Sequence, residues 1–404
     1  MIEEFIHITT SWSSSNEKIV LMGDAILFLL FLVAVLYLFV FALFSLKKRK
    51  DTYPPARIKY HFAVLFPAYK EDSIIIHSIQ SFLKQAYPRE QYDIIVISDH
   101  MTEATNQQLQ DLSAEVIEIT DPHSSKTNAL IRAAEYMEHK KEKTDIVVIL
   151  DADNLVDETF LDQLNNAFYS GCSAVQTHRV AKSRNTNVAV LDAVSEEINN
   201  SIFRKGHTSL GFSSALIGSG MAFDYEIFKE NIQNAQSVGV DKQLEQSLLL
   251  QHVYIEYLED VYTYDEKVSD KNGFYNQRRR WLSTQFYNLF YGLKHIPMAL
   301  LSGNWDYCDK LFQWMMPPRV ILFGMIFIFA LIFTIVDWTL SVKWWTLFLL
   351  LCMTFSIAVP DYLVDKRFKK ALRSLPILFL LMLFNYFRLK GANKQFIHTE
   401  HTEL

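Results

Sequence analysis

Cysteine is scarce in this chain: Cys172, Cys308 and Cys352 are the three among 404 residues. They have no paired spacing, which excludes a disulfide framework and a cysteine zinc site and fits a reducing compartment. A strong charge of either sign is also missing. Thirty-nine Lys and Arg against 45 Asp and Glu leave a net charge of −6. No basic stripe is present to engage nucleic acid. Internal repeats and low-complexity tracts are absent, which excludes a solenoid. The pair Gly218-Ser-Gly220, within Ile217–Phe223, lacks the third glycine and the first-strand setting of a dinucleotide fingerprint.

Apolar and aromatic residues are what the chain has in quantity. Half of it is hydrophobic, with 30 Phe and 19 Tyr, unevenly placed. Residues 25–46 carry no charge and meet Lys47-Lys-Arg-Lys50. About 20 such residues cross a bilayer. A signal peptide would have a shorter apolar core and a small-residue cleavage site, so a retained anchor is expected. Residues 319–336 and 344–359 read as two more spans. Residues 375–387 are shorter and hold Pro376 and Asn385, which suits a short span or an interfacial segment. The basic clusters at 47–50 and 365–370 put both on the cytoplasmic side. The expectation is a multi-pass protein of the plasma (inner) membrane. It has an anchor segment (1–50), a cytoplasmic domain (51–290), an interfacial amphipathic segment (291–317) and a C-terminal membrane region (318–404). Tyr53–Arg57, with Pro54-Pro55, is the linker from anchor to domain.

From about Tyr60 to Val180, strand and helix patterns alternate. Phe62–Phe66, Tyr92–Ser98, Glu115–Ile119, Asp145–Leu150 and Ser173–Thr177 read as strands. The intervening helices are expected at 73–85, 102–112, 124–139 (capped by Asp121 or Ser124) and 159–169. This rhythm predicts a doubly wound, Rossmann-like α/β domain with a mostly parallel sheet, joined to α-helical membrane segments. From Asn185 to Gln285 the pattern is less regular.

Acidic and basic residues recur where these strands stop. The first strand leads to Pro67-Ala-Tyr69-Lys-Glu71-Asp72, a loop suited to a ribose or base, or else a helix start favoured by its acids. The second ends at Ser98-Asp99-His100. The third leads to Lys126-Thr-Asn128 early in a helix. The fourth stops at Asp151-Ala-Asp153, where alternate carboxylates can point the same way. Each has a bland local explanation, such as a solvated turn or a surface lysine. Together they line the sheet edge at which ligands of parallel sheets bind, and they describe a nucleotide-diphosphate pocket with a divalent cation. Further on, Gly218-Ser219-Gly220 permits close backbone approach to an acceptor, or forms a structural turn. Asp241, in Gly239-Val-Asp241, is a general base or a helix cap, with Glu245 an alternative base one turn on. Asn276-Gln277-Arg-Arg-Arg-Trp281 offers bidentate arginines to a diphosphate and a flat face to a sugar, while Arg278 or Arg279 also suits anionic lipid.

This ordered series resembles the membrane-bound family 2 glycosyltransferases of the GT-A fold. It is similar to the processive branch that makes cellulose, chitin, hyaluronan and poly-N-acetylglucosamine. The likeness covers about residues 60–290, and Gln277–Trp281 fits that branch's Gln-x-x-Arg-Trp signature. The resemblance implies that Tyr69, Glu71, Asp99, Lys126 and Asp151 contact the donor, and that Asp153 ligates Mg²⁺ or Mn²⁺ on the diphosphate. It further implies that Asp241 is the base, and that Gly218, Ser219, Gly220, Gln277, Arg280 and Trp281 hold diphosphate and acceptor. Two positions depart from the family: Ser98 and His100 flank Asp99, and Gly239-Val240 replaces the Thr-Glu that usually precedes the base.

The expected activity is inverting transfer of a sugar from a UDP-sugar to a growing polysaccharide. Transfer of one hexosyl or N-acetylhexosaminyl group to a lipid acceptor is the alternative, and an inactive nucleotide-sugar-binding protein is a third reading. Expected partners are the nucleotide sugar, the polysaccharide or lipid-linked acceptor and membrane lipids. With so few spans, a secretion channel would need a homo-oligomer or a secretion partner. His398 and His401 are read as a solvated tail.

Overall fold

The structure is a computed structural model that describes residues 2–48, 53–120, 125–141, 143–235, 239–267 and 271–387, with side chains from residue 18 onward except at 271, 272 and 385. The proposed caps Asp121 and Ser124, the basic residues Arg49 and Lys50 and the tail with His398 and His401 lie outside the described residues.

Among the described residues, eight strands form one sheet: β1 (Phe62–Tyr69), β2 (Tyr92–Asp99), β3 (Glu115–Ile119), β4 (Ile146–Ile149), β5 (Leu155–Val156), β6 (Ala174–Ala181), β7 (Met221–Asp224) and β8 (Ile255–Asp265). Their order is β3-β2-β1-β4-β7-β6-β8-β5. The first four neighbours pair in parallel. The strand β7 is antiparallel to both β4 and β6, and β6 runs parallel to β8 with a register shift between Thr177 and His178. The sheet is thus the mixed α/β sheet of the GT-A type. The period of two is visible in β1: Ala63 and Leu65 join the core on one face, while Phe62, Val64, Phe66 and Ala68 join the core on the other. Burial on both faces is why these strands read as unbroken apolar runs.

The helices are α1 (Ile2–Ser45), α2 (Ile75–Phe82), α3 (Glu103–Asp111), α4 (Lys126–Glu138), α5 (Phe160–Tyr169), α6 (Asn187–Asn199), α7 (His207–Ser209), α8 (Tyr225–Ile232), α9 (Val240–Leu250), α10 (Lys271–Leu293), α11 (Ile296–Leu301), α12 (Trp305–Met315), α13 (Arg319–Val336), α14 (Trp338–Ala358), α15 (Lys366–Ala371) and α16 (Leu375–Phe387). The first crossover helix, α2, is shorter than its sequence pattern, and its N-cap Ile74 makes no side-chain cap bond. In α4 the cap is Ser125, whose hydroxyl accepts from the Asn128 amide at 3.1 Å. A π-helical stretch, Asn200–Gly206, joins α6 to α7.

Among the described residues, three helices are long and apolar enough to cross a membrane: Lys18–Ser45, Arg319–Val336 and Trp338–Ala358. Trp344 locks them together, with its ring against Phe28, Phe31, Phe329 and Phe333. Its indole N–H donates to Asp24 at 2.8 Å, and Asp24 also pairs with Lys343. Buried polar groups among apolar helices need such partners. The helix α16 has 13 residues, about 20 Å at 1.5 Å per residue, which is short of a bilayer core. It packs on α13 at Gly324, where a Cβ would meet the Phe379 ring at 2.3 Å, and Met382 joins Leu282 of α10 and Ile321 of α13 in one apolar cluster.

Candidate functional site

The site forms where the parallel strands end. Asp151, just past β4, receives the ammonium of Lys126 from the first turn of α4. The same ammonium donates to the Gly218 carbonyl at 2.7 Å, so one lysine ties the fourth strand end to the glycine loop before β7. Asn154 closes the turn after β4 by accepting from the Asp151 amide at 3.0 Å. Its amide then donates towards Asp153 (3.2 Å) and Asp265 (3.3 Å). Asp153 is held further by the Glu266 amide at 2.9 Å.

Asp151, Asp153 and Asp265 each bring a carboxylate oxygen within 4.8 Å of the other two. Three hard oxygen donors at that spacing fit Mg²⁺ or Mn²⁺. Asp265, at the end of β8, is also paired with Arg179 at 2.6 Å and Lys267 at 3.0 Å. Burial opposes its ionisation, but these two cations outweigh burial and hold its carboxyl well below the usual range. Arg179 is pushed up in return by Asp265, Glu196 and Asp151, against the cost of burying it. Lys267 reaches Glu196 at 3.8 Å, and Glu196 pairs with Arg204 at 3.0 Å, so the cluster continues into α6 and the π-helical stretch.

The far wall is built by α9 and α10. The N-cap of α9 is Gly239, so Asp241 sits in the first helical turn and is not the cap. A Cβ on Gly239 would lie 2.0 Å from Thr284 Cγ2, so glycine lets the start of α9 press directly on α10. Gly218, at φ +90°, sits 4.0 Å from the Asp241 carboxylate when given a Cβ. On α10, one turn before Thr284, Arg280 feels both Asp151 and Asp241. Burial lowers the pKa of its guanidinium, and the two carboxylates oppose that shift. Asp151, Lys126, Gly218, Asp241 and Arg280 therefore share one rim.

Within the glycine loop it is Gly218 that faces Asp241. Ser219 is fully buried, and Gly220 packs against Thr177 and Thr263. Gln277 Oε1 and Ser219 Oγ are buried without a hydrogen-bond partner among the described residues, as polar atoms are where a polar ligand completes a site. One face of Trp281 is covered by the Arg278 guanidinium at 4.5 Å. Arg278 itself pairs with Asp192 on α6, which corrects its reading as a lipid-binding arginine. Glu245, the alternative base, is also corrected. It is 1% exposed, pairs with Lys310 at 2.8 Å and accepts the Leu216 amide at 3.0 Å, so it is walled off from any substrate.

The remaining acidic positions lie across the ends of β1 and β2. Tyr69 and Asp99 are register partners, and the Lys70 amide donates to the Asp99 carbonyl at 3.0 Å. Asp99 and Glu71 are both buried, and Asp99 meets the His100 imidazole at 2.5 Å. Tyr69 stacks edge-on against His100. Asp72 does not begin α2; its carboxylate takes the Thr102 amide and hydroxyl and the Thr105 hydroxyl at the start of α3. Burial would raise its pKa, but those donors lower it overall.

The sequence reading missed Asp265, Arg179 and Lys267. The signal was present in the alternating stretch Val261-Tyr-Thr-Tyr-Asp265, a strand that ends at a carboxylate like the others. A separate cavity of about 470 Å³, lined by Tyr53, Cys172, His252 and Glu256 among others, opens at the opposite ends of β6 and β8, away from these carboxylates.

A mixed sheet with this carboxylate cluster at its strand ends defines a GT-A-type fold. The sequence model described as "Glycosyltransferase like family 2" matches residues 59–284, more than half of the chain, and the chain belongs to that family. Among solved structures it is similar to the mannosyltransferase PcManGT from Pyrobaculum calidifontis, determined with GDP-Man and Mn²⁺. The identity is 18%, with 85% of this chain and 99% of that chain covered and a TM-score of 0.52, a likeness of fold. Weaker matches include Staphylococcus aureus TarS 1-349 (15% identity, 82% of this chain and 90% of that chain, TM-score 0.41). Another is glucosyl-3-phosphoglycerate synthase from Mycobacterium tuberculosis (16% identity, 57% and 80%, TM-score 0.39). No curated protein matches the chain.

Proposed function

We propose that this family 2 glycosyltransferase moves a sugar from a UDP-sugar to the end of a growing glycan at the cytoplasmic face of the membrane, with inversion and processively. The observation that carries the reading is the shared rim: Arg280 answers to both Asp151 and Asp241, while Lys126 joins Asp151 to the loop that abuts Asp241. A donor-side carboxylate and a base on either side of one arginine suit a single displacement at an anomeric carbon, with the arginine placed to stabilise the leaving diphosphate.

In this reading Tyr69, Glu71 and Asp99 bind the nucleoside, and Lys126 and Asp151 bind the donor where it turns towards its diphosphate. Asp153, with Asp265, would hold Mg²⁺ or Mn²⁺, which when bound neutralises charge on the diphosphate. Arg280 stabilises the departing diphosphate through charge-assisted hydrogen bonds. Asp241 takes the proton of the acceptor hydroxyl from the face opposite that leaving group. A positioned general base contributes roughly 10²–10⁴-fold. Gln277, Trp281 and the Gly218 backbone receive the acceptor end, and Gly220 and Ser219 set the loop that presents Gly218. The Gln277–Trp281 segment favours a polymer over a single-sugar lipid product. The stretch 291–317 lies on the membrane surface, where Met298, Leu301 and Trp305 expose apolar side chains.

The test is a panel of UDP- and GDP-sugars offered to the full-length protein in lipid nanodiscs with Mn²⁺, read by nucleotide release and by the size of the labelled product. Turnover with one UDP-sugar and a long product supports the reading. A single-sugar lipid product replaces the acceptor assignment, and exclusive use of a GDP-sugar replaces the donor.

A further inference from the structure

A continuous polar path, half-buried at Tyr37, Asp309 and Gln313 and buried at His207, Lys310 and Glu245, runs from the first apolar helix to the helix that carries Asp241. Its membrane end is Tyr37 on α1. Tyr37 falls inside the uncharged run 25–46, about 18 Å along the helix from its start and so within the thickness of one bilayer core. The Tyr37 hydroxyl donates to Asp309 on α12 at 2.6 Å and meets His207 Nε2 at 2.8 Å. His207 is fully buried, stacks on Phe41 of α1 at 3.6 Å, and is oriented by the Ile202 carbonyl, which accepts from Nδ1 at 2.6 Å. Backbone contact reinforces this seat: a Cβ on Gly206 would lie 2.2 Å from the Phe41 carbonyl oxygen.

The path continues along α12. The Gln313 amide contacts His207 Nε2 at 3.0 Å and donates to Asp309 at 2.7 Å. Its oxygen accepts from Lys310 at 2.9 Å, and Lys310 pairs with Glu245 at 2.8 Å. Glu245 follows Asp241 by one turn on the same helix face and accepts the amide of Leu216, two residues before Gly218. Lys310 and Glu245 are each 1% exposed. A buried ion pair is weak support for stability, because desolvation offsets most of its attraction, and its attested use is to fix one arrangement of the elements it joins.

We propose that Tyr37, His207, Asp309, Gln313, Lys310 and Glu245 form a positioning relay that sets α9 and the 216–220 loop according to how α1 is seated in the bilayer. The bilayer then acts as a partner of the catalytic domain: turnover follows the thickness that α1 must span. The residues of the relay position Asp241 and touch no substrate. The proposal rests on the reading of Asp241 as the base, and its test has one arm that does not depend on that reading.

Full-length wild type and Tyr37→Phe are compared in nanodiscs of short-chain (14-carbon) and long-chain (22-carbon) phosphatidylcholine. The independent arm is amide exchange of peptides spanning 213–220 and 240–250. In Tyr37→Phe these exchange at least about threefold faster while β1–β4 peptides stay protected. Turnover should drop about five- to tenfold in kcat, with the donor KM and the melting temperature unchanged. Wild-type kcat should also differ between the two bilayers, and Tyr37→Phe should lose most of that difference. Lys310→Arg should retain wild-type behaviour where Lys310→Met does not. Unchanged exchange in Tyr37→Phe, or wild-type kcat in both bilayers for that variant, overturns the relay. An exchange effect with an active Asp241→Asn overturns the base assignment and leaves the relay standing.

Discussion

Substituting Gly220 by alanine puts the packing beneath the site to a numerical test. Gly220 sits at φ +63°, the left-handed region, where a side chain costs about 1–2 kcal/mol. The added Cβ would also lie 2.2 Å from Thr177 Oγ1 and 2.6 Å from Thr263 Oγ1. Both threonines are fully buried and joined to each other at 2.7 Å. Their branched side chains are stiff, so relief requires backbone movement, about 1–3 kcal/mol of overpacking. Parting the two hydroxyls forfeits about 1 kcal/mol more. The sum is about 3–6 kcal/mol, a fall in melting temperature on the order of 10 °C for a domain of this size. Thermal unfolding of the full-length protein in detergent measures it. In a Thr177→Ala/Thr263→Ala background the clashes with the two hydroxyls should vanish, leaving a 3.2 Å contact with the Cβ of residue 263 and mainly the backbone part of about 1–2 kcal/mol, a coupling that a double-mutant cycle reads directly. A melting temperature within about 2 °C of wild type for Gly220→Ala alone, or an unchanged penalty in the alanine background, refutes the reasoning.

Asp153→Asn should weaken Mn²⁺ binding by at least about tenfold in titration calorimetry while the fold, read by melting temperature, survives. Lys126→Ala should raise the donor KM more than it lowers kcat in steady-state kinetics, because it releases Asp151 and the Gly218 carbonyl together. Asp93 is a stability probe remote from the chemistry. Burial pushes its carboxyl up, but His61 and Lys140 outweigh that and set its pKa at about 2, against an ordinary 3.8. A depressed folded-state pKa contributes stability that is fully present above the unfolded value and is lost as pH falls through the folded one. Asp93→Asn should therefore cost about 1–2 kcal/mol at pH 7, and the difference from wild type should disappear between about pH 4 and pH 2 in denaturation followed against pH.

The parallel half of the sheet was legible because its strands are buried on both faces and so appear as unbroken apolar runs that stop at charged residues. The edge holding Glu71, Asp99, Lys126, Asp151 and Asp153 followed from that rule alone. The apolar helix at 319–336 was legible for the same kind of reason, while α14 starts six residues earlier than expected, at Trp338, because Lys343 is paired with Asp24 and does not interrupt the helix. The other half of the sheet was hidden. The strand β7 has four residues, β8 faces one side partly outward, and β5, whose pairing with β8 brings Asp265 towards Asp153, has two residues, too few for a sequence pattern. Spacing alone made Glu245 a rival to Asp241. The partner that buries it, Lys310, is distant in sequence, and so is Asp192, which claims Arg278. Long-range charge pairs leave no periodic trace, and they decide here which ionisable groups face substrate.

The central claim is that Asp241 removes the acceptor proton while the nucleotide sugar is held by other residues. Its most direct test compares donor affinity and single-turnover rate in wild type and Asp241→Asn, using the full-length protein in nanodiscs with Mn²⁺ and its preferred nucleotide sugar. The account predicts a donor Kd within about threefold of wild type and a transfer rate lower by roughly 10²–10⁴-fold. Transfer within a few-fold of wild type at unchanged donor affinity would contradict it.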